Sequence, residues 1–355
     1  MGKQKIWAKD LLEVAGVPAI AIILGLVVGA VAMLWMGYNP VIGYQSLLRG
    51  IFGDAYSFGE TIRSMTPLIF TGLAVAFAFR TGLFNIGVEG QFVLGMLAGA
   101  LVGAAWPQLP WLLHVGLALG AGALAGALWA AVPGLLKGRF GVHEVITTIM
   151  LNYVSLILAN YLIRNFFRVQ EQEATANIAP SADLSIALLK QASGGARIHW
   201  GTVVALGLVV LVAFILYKTT LGFEFRAVGF NPHAAQYGGI NVTKSLILSM
   251  LISGSIAGVG GAVEILGVFG RMAVSPILPG VGFDGIAVAL IGNNNPFGVL
   301  FGSFLFGALK TGAIQMQYVT QVPYAIIRVV IAAIVFFVAI KELVRRILRL
   351  KRREV

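Results

Sequence analysis

Apolar stretches of about 20 residues, the length a helix needs to cross the hydrocarbon of a bilayer, recur along the whole chain. They fall near 17–37, 64–79, 86–106, 111–136, 143–163, 200–217, 245–269, 283–292, 297–317 and 323–340. The second and eighth are short. The expectation is an all-α integral membrane protein with about ten transmembrane helices, some of them broken. Composition agrees, because 11% charged residues is less than half of the roughly 25% that a water-facing surface requires. The 45 glycines fit the same class, since small residues let membrane helices approach where no hydrophobic effect drives them together.

A net charge of +11 would suit nucleic acid, but its distribution argues against that partner. Seven basic residues lie between Lys341 and Arg353, directly after an apolar stretch, as on the cytoplasmic flank of a membrane helix. Lys3, Lys5 and Lys9 precede the run Val17–Gly37, which is too long for a signal peptide and reads as a retained first helix. With the N-terminus inside, the inner segments also hold Arg80, Lys137, Arg139, Lys218, Arg226 and Lys244. The outer segments hold Arg49, Arg63, Arg164, Arg168, Lys190, Arg197, Arg271 and Lys310. That bias places both termini in the cytoplasm, in one domain spanning 1–355. An outer loop then covers 164–199 and an inner segment covers 220–240. In the latter, Asn231 can cap a short helix, Pro232 suits its first position, and Gly238–Gly239 can end it.

Two glycine-rich segments, GLFNIGVEGQ (Gly82–Gln91) and GVGFDGIAVALIGNNNPFG (Gly280–Gly298), interrupt apolar stretches. Backbone freed there survives only if it packs in protein or lines a polar cavity, which marks a transport path. Phe84–Asn85 in one and Phe283–Asp284 in the other fall on opposite membrane sides, as an inverted five-plus-five repeat would require. Ionisable residues within or beside spans are functional candidates: Glu89, Glu144, Glu264, Asp284, Lys310 and Arg328. Glu264, near the middle of its helix, and Glu89, on a broken one, are the hardest to dismiss as snorkelling or flanking charges. Asn152 and Asn160 can also serve to join helices. The candidate path comprises Phe84, Asn85, Glu89, Gln91, Asn152, Glu264 and Asp284.

No nucleotide-binding G-x-x-x-x-G-K-[ST] occurs. The histidines, His114, His143, His199 and His233, are too scattered for a metal site, and no catalytic constellation appears. With no cysteine, thiolate chemistry and disulfides are excluded. Enzymatic activity is not expected, and neither is a cofactor or metal in this chain.

The inner segment TLGFEFRAVGFNPHAAQYGGI (Thr220–Ile240) resembles the R-A-x-G-x-N-x-x-A-A cytoplasmic signature of bacterial ABC importer permeases serving ribose, branched-chain amino acids and nucleosides. A serine-glycine helix follows, with Ser253–Gly254 and the step Ala257–Gly261. GLFNIGVEGQ and GFDGIAVALIGNNNP are most similar to the nucleoside (purine nucleoside and simple-sugar) branch. Ribose permeases usually carry G-x-D-L-S-V-G where this chain has Phe84 to Glu89, and tend to have arginine where it has Phe223.

The resemblance implies that Arg226, Gly229, Asn231, Pro232, Ala234, Ala235 and Gly238 belong to a coupling element docking on a cytoplasmic ATPase, which would bind ATP and magnesium. It further implies a substrate-binding lipoprotein outside, a second permease subunit in a heterodimer, and a location in the bacterial plasma (inner) membrane. A neutral nucleoside as the small-molecule substrate would suit hydrogen-bonding Asn85 and Gln91 beside Phe84. Sugars or branched-chain amino acids are the alternatives within this class. A proton-coupled carrier using Glu89, Glu264 or Asp284 is the alternative outside it.

Overall fold

The computed structural model describes residues 17–169 and 171–339. The leading Lys3, Lys5 and Lys9 and the basic tail Lys341–Arg353 lie outside the described residues. The chain forms α1 (Val17–Trp35), α2 (Pro40–Phe52), α3 (Ala55–Arg80), α4 (Val88–Ala104), α5 (Trp111–Phe140), α6 (Glu144–Leu162) and α7 (Ala187–Ala192). These are followed by α8 (Gly201–Lys218), α9 (Thr220–Phe230), α10 (Pro232–Tyr237), α11 (Val242–Glu264), α12 (Val281–Ile291), α13 (Pro296–Thr320) and α14 (Tyr324–Ala339). Helices α6 and α11 each run into a π-helical turn, Ile163–Phe167 and Ile265–Phe269.

The all-α membrane architecture holds. Among the described residues, α3, α5, α6, α8, α11 and α13 are long and apolar enough to cross a bilayer. Shorter apolar helices, Ile22–Trp35, Val88–Ala104, Val281–Ile291 and Tyr324–Phe337, occupy the remaining expected positions. Trp111 and Trp200 meet edge to face at 6.4 Å where α5 and α8 begin, as aromatic rings do at the water boundary of a bilayer.

Several sequence expectations need correction. The stretch expected as a short span at 64–79 is a 26-residue helix. It starts at Ala55, where the Asp54 carboxylate accepts from the Ser57 N–H at 2.6 Å. Glu60 and Arg63 interrupt the apolar pattern, yet they sit inside the helix because their charges pair at 3.1 Å. Arg63 is therefore not a loop residue, and neither is Lys310, which lies within α13. The helix α2 was not expected at all; Asn39 caps it and Pro40 opens it. The two glycine-rich segments do not break helices internally. The first forms the α3–α4 turn, and the second begins α12 and supplies the α12–α13 turn. Phe84–Asn85 lies in a turn while Phe283–Asp284 is helical, so the short sequence match does not extend to local structure.

By packing, the chain divides into two units, Gly59–Gly307 and the combination of Met1–Phe58 with Ala308–Val355. In the described part of the latter, α1 packs along α14. There, Gly50 lies so close to Gly312 that an added Cβ would come 3.0 Å from the Gly312 Cα.

In Gly59–Gly307, α11 packs against both α5 and α4. Three small-residue ladders make that possible: Gly95–Gly99 on α4, Gly122–Gly126 on α5 and Gly254–Gly258 on α11. A Cβ built on Gly122 would lie 2.8 Å from the Gly258 carbonyl oxygen, and one on Gly99 would lie 2.7 Å from the Ala262 Cα. The backbones are in direct contact, which is how helices associate in lipid. Gly120, two residues before Gly122 and so on roughly the opposite face of α5, has open space instead. Gly258→Val should therefore cost about 1–3 kcal/mol through overpacking, whereas Gly120→Val should be nearly silent. Thermal melting of the purified variants in detergent checks both.

Candidate functional site

Most of the non-helical α3–α4 turn is buried, so its buried polar groups need partners inside the protein. Asn85 supplies most of them. Its amide donates to Gln91 Oε1 at 3.0 Å and to Ser253 Oγ at 2.8 Å, while its oxygen accepts from the Gly87 N–H at 3.0 Å and from Gln91 Nε2 at 3.2 Å. Ser253 passes the chain on to the Ala74 carbonyl at 2.7 Å. From α6, Asn152 accepts from the Gly90 N–H at 2.8 Å and donates to the Ile86 carbonyl at 3.0 Å. The turn is thus stitched to α3, α4, α6 and α11. Asn85, Gln91 and Asn152 are fully buried. Phe84 is half-buried and packs on Phe79 at 4.9 Å.

Glu89, also fully buried, belongs to the first turn of α4. Its two carboxylate oxygens accept separately from the Gly280 and Gly282 N–H groups, each at 2.5 Å. These N–H groups are orphan donors at the start of α12, where the helix dipole is positive, and Glu89 caps them from another helix. The close approach requires glycine, because a Cβ on Gly282 would lie 2.5 Å from the Glu89 Cα. The extended strand of chain leading to α12 is held by Asn160, which donates to the Ser275 carbonyl at 2.7 Å and accepts from the Ser275 N–H at 3.2 Å. Asn152 and Asn160 therefore both join elements. Asp284 sits in the first turn of α12 and is half-buried, next to Phe283, which is 39% exposed.

Glu264 does not lie mid-helix. It is the last residue of α11 before the π-turn, with Arg63 at 3.7 Å. Arg63 also pairs with Glu60, and Glu60 accepts from Arg197 Nη2 at 2.9 Å and from the Arg197 backbone N–H at 2.9 Å. Sequence reasoning missed Glu60, whose signal was the i,i+3 spacing to Arg63, and it missed the loop residue Arg197, which no spacing reveals. His199 is buried beside them, and burial together with the Arg63 charge pushes its imidazole down to about 4. The ring is neutral at ordinary pH, and its Nδ1 accepts from the Gly201 N–H at 3.2 Å. A cavity of about 410 Å³ opens nearby, lined in part by Asp183, Lys190, Arg197 and Gly267. Of the other charged candidates, Glu144 pairs with Lys137 at 2.9 Å, and Arg328 lies over the Tyr324 ring at 5.4 Å.

The inner segment folds as its residues imply. Asn231 caps α10 by accepting from the His233 and Ala234 N–H groups at 3.0 and 3.1 Å, and Gly239 leaves the helix with φ of +85°. Phe225 is buried and meets Phe77 of α3 edge to face at 5.5 Å, seating α9. At the segment's surface, Phe230 and Tyr237 are 89% and 97% exposed. Phe230 lines a shallow groove together with Phe223, Ala227, Asn231, Ala234, Ala235 and Gly238. Among the described residues no three histidine, aspartate or glutamate side chains are grouped to hold a metal ion.

The geometry at α12 separates Glu89 from Glu264. Glutamine keeps the shape of glutamate but has one oxygen and one NH2 group, so in E89Q either the Gly280 or the Gly282 N–H would face a donor. E89Q should therefore lose about 1–3 kcal/mol, the cost of leaving a buried donor unsatisfied. E264Q, whose guanidinium partner stands 3.7 Å away, should lose less. Melting midpoints of the two purified variants compare them directly.

Residues 57–339 match the family model described as branched-chain amino acid transport system / permease component. The chain is 51% identical over 329 residues to the guanosine ABC transporter permease protein NupP of Bacillus subtilis (strain 168), covering 93% of this chain and 94% of that one. It is 40% identical to the nucleoside ABC transporter permease protein NupB of Lactococcus lactis subsp. cremoris (strain MG1363), with 92% and 91% covered. It is 33% identical to the glucose ABC transporter permease protein TsgB13 of Haloferax volcanii, with 93% and 88% covered. A buried, stitched turn, a capped half-helix and an exposed glycine-bounded element thus occur in a chain that belongs to the branched-chain amino acid transport system permease family, a multi-pass membrane component of ABC transporters.

Proposed function

We propose that the chain is the transmembrane permease subunit of an ATP-driven importer that translocates nucleosides across the bacterial plasma membrane. The observation that carries this reading is the near full-length similarity to two permeases named for guanosine and nucleosides. The α12 N-terminus supports it physically. Such a terminus is a ready anion site, but Glu89 already fills it, so a solute carboxylate or phosphate finds no free donors there. A neutral solute fits better than an amino acid. A sugar is the second reading, favoured by the similarity to a glucose permease.

Most of the candidate path residues then serve the path by holding its backbone. Asn85, Gln91, Asn152 and Glu89 spend their polar atoms on the protein, and the ring faces of half-buried Phe84 and exposed Phe283 are what a passing solute meets. Glu89 and Glu264 are committed to N–H groups and to Arg63, an arrangement that suits structural charges better than proton carriers.

Energy comes from separate cytoplasmic ATPase subunits that bind ATP and magnesium. The exposed Phe230 and Tyr237 beside the α9–α10 groove form the docking element, with Arg226, Gly229, Asn231, Pro232, Ala234, Ala235 and Gly238 shaping it. A second, non-identical permease subunit and a substrate-binding lipoprotein complete the assembly. Both termini are cytoplasmic, and 164–199 faces outward.

Two experiments test these assignments. The chain has no cysteine, so single cysteines label cleanly. Leu188, 75% exposed, suits the outer loop better than Ser181, whose hydroxyl is bonded to His114 and the Pro107 carbonyl. Cysteines at Leu188 and His233 should react from opposite sides, the first from outside, and same-side labelling would break the topology. In vesicles carrying all subunits, unlabelled nucleosides should compete with guanosine uptake while leucine and ribose do not. In the same vesicles Ala234→Asp should abolish both uptake and transport-stimulated ATP hydrolysis while the protein still inserts.

A further inference from the structure

The docking element and the half-helix α12 are far apart in sequence, but one aromatic ring stands between them. Tyr217, one residue from the end of α8, faces two guanidinium groups. Arg80, at the end of α3, lies 5.9 Å from the ring centroid, and Arg226, on α9, lies 5.4 Å from it. Arg80 donates through Nε to the Asn294 carbonyl at 2.8 Å, inside the α12–α13 turn. Asn295 of the same turn donates to the Tyr217 hydroxyl at 3.4 Å. Arg226 is tied to its own helix by donating to the Gly222 carbonyl at 3.3 Å. A second contact runs in parallel: Gly229 of α9 packs on the α3–α4 turn, where a Cβ on Gly82 would lie 3.3 Å from the Gly229 Cα.

We propose that Tyr217 is a positioning residue that transmits movement of the docking element to the α12–α13 turn, through the alternative hold of its ring on Arg226 and Arg80. The proposal rests on the reading of α9–α10 as the ATPase-docking element. Three features suit the node to transmission rather than to plain packing. Two like charges share one ring, and neither is in an ion pair with a carboxylate among the described residues. Each cation therefore weakens the case for the other staying. The turn that Arg80 holds contains two consecutive non-glycine residues in the left-handed region, Asn293 at φ +51° and Asn294 at φ +54°. Such a turn persists when its surroundings hold it and is a natural place for a rearrangement. Finally, the turn sits at the end of the same short helix whose other end Glu89 caps, so a shift there is passed along α12 as a rigid element.

A displacement of α9 carries Arg226 with it. If Arg226 leaves the ring, Arg80 can move further over it and draw on the Asn294 carbonyl. If Arg226 presses closer, repulsion drives Arg80 away and the turn loses that hydrogen bond. Either movement changes the C-terminal end of α12 without breaking the buried network around Asn85.

The decisive measurement is the number of nucleosides transported per ATP hydrolysed, in proteoliposomes of the complete complex, because a merely structural residue would lower both rates together. In Y217L the ratio should fall about fivefold, the scale set by losing one ring–cation contact of ordinary strength. Y217W, which keeps an aromatic face, should recover most of it. If Y217L fails to co-purify with the ATPase subunits, the ratio is read in R80Q, which removes the charge over the ring and should fall as Y217L does. A cysteine at Phe297, exposed just after the turn, gives a second readout: its labelling rate should change when the ATPases are trapped with nucleotide and vanadate, and should cease to change in the uncoupled variants. An unaltered ratio in the variant that assembles, or trapping-dependent labelling that survives in it, would overturn the proposal. Competition by leucine or ribose instead of nucleosides would overturn the substrate reading alone, since the ratio can be measured with any transported solute.

Discussion

Close backbone contact between α4, α5 and α11 is the constraint on which the rest of Gly59–Gly307 depends. In lipid there is no apolar surface to hide from water, so helices hold together by van der Waals contact and by hydrogen bonds between them. The glycine ladders at 95–99, 122–126 and 254–258 bring three backbones together at distances a single Cβ would spoil. That contact places Ser253 beside the α3–α4 turn, where it accepts from Asn85. Were the helices about 1–2 Å further apart, that hydrogen bond would be lost and the buried turn would lack partners. The ladders and the polar network are therefore one device.

The polar network follows from the rule that backbone groups within a membrane protein cannot be left to solvent. Asn85, Gln91 and Asn152 each offer a donor and an acceptor on one short side chain, which is what a turn with both unpaired N–H and C=O groups requires. Glu89 meets a different need. The start of α12 presents only donors, and a carboxylate presents only acceptors. The same logic places Glu60 and Glu264 around Arg63, and it lets α3 carry charge well inside the length expected of a loop.

Much of this was legible in the sequence. Apolar length marked the spans, and Asn231, Pro232 and Gly239 marked the short inner helix with the caps it actually has. The glycine-rich segments marked where helices end. Legibility stopped at long-range pairing. Nothing in the sequence says that Glu89 meets Gly280 and Gly282, or that Arg197 returns to Glu60, because no local period relates positions so distant. The start of α3 was misplaced for the same reason: Glu60 and Arg63 look like loop residues until their partners are known. Asn85 and Gln91 stand out as polar residues on an apolar background, but the sequence does not show that their hydrogen-bonding groups are occupied by protein.

A path whose polar side chains are already bonded has a consequence for selection. Each hydrogen bond offered to a solute must come from a group that is free, and a fully engaged Asn or Glu would have to break an existing bond to make a new one. That exchange yields little net free energy, because one bond replaces another of similar strength. A path built as proposed would bind its solute weakly and nearly uniformly along the way, which favours release. In the proposed assembly, strong discrimination would then belong to the separate binding component, and the path would contribute exclusion. In the proposed path, the aromatic faces of Phe84 and Phe283 would suit a base or a sugar ring, and the filled α12 terminus with Asp284 in its first turn would disfavour anions. The buried carboxylate of Glu89 thus has two effects from one position: it supports the half-helix, and it removes the only strong anion site that the half-helix would otherwise create.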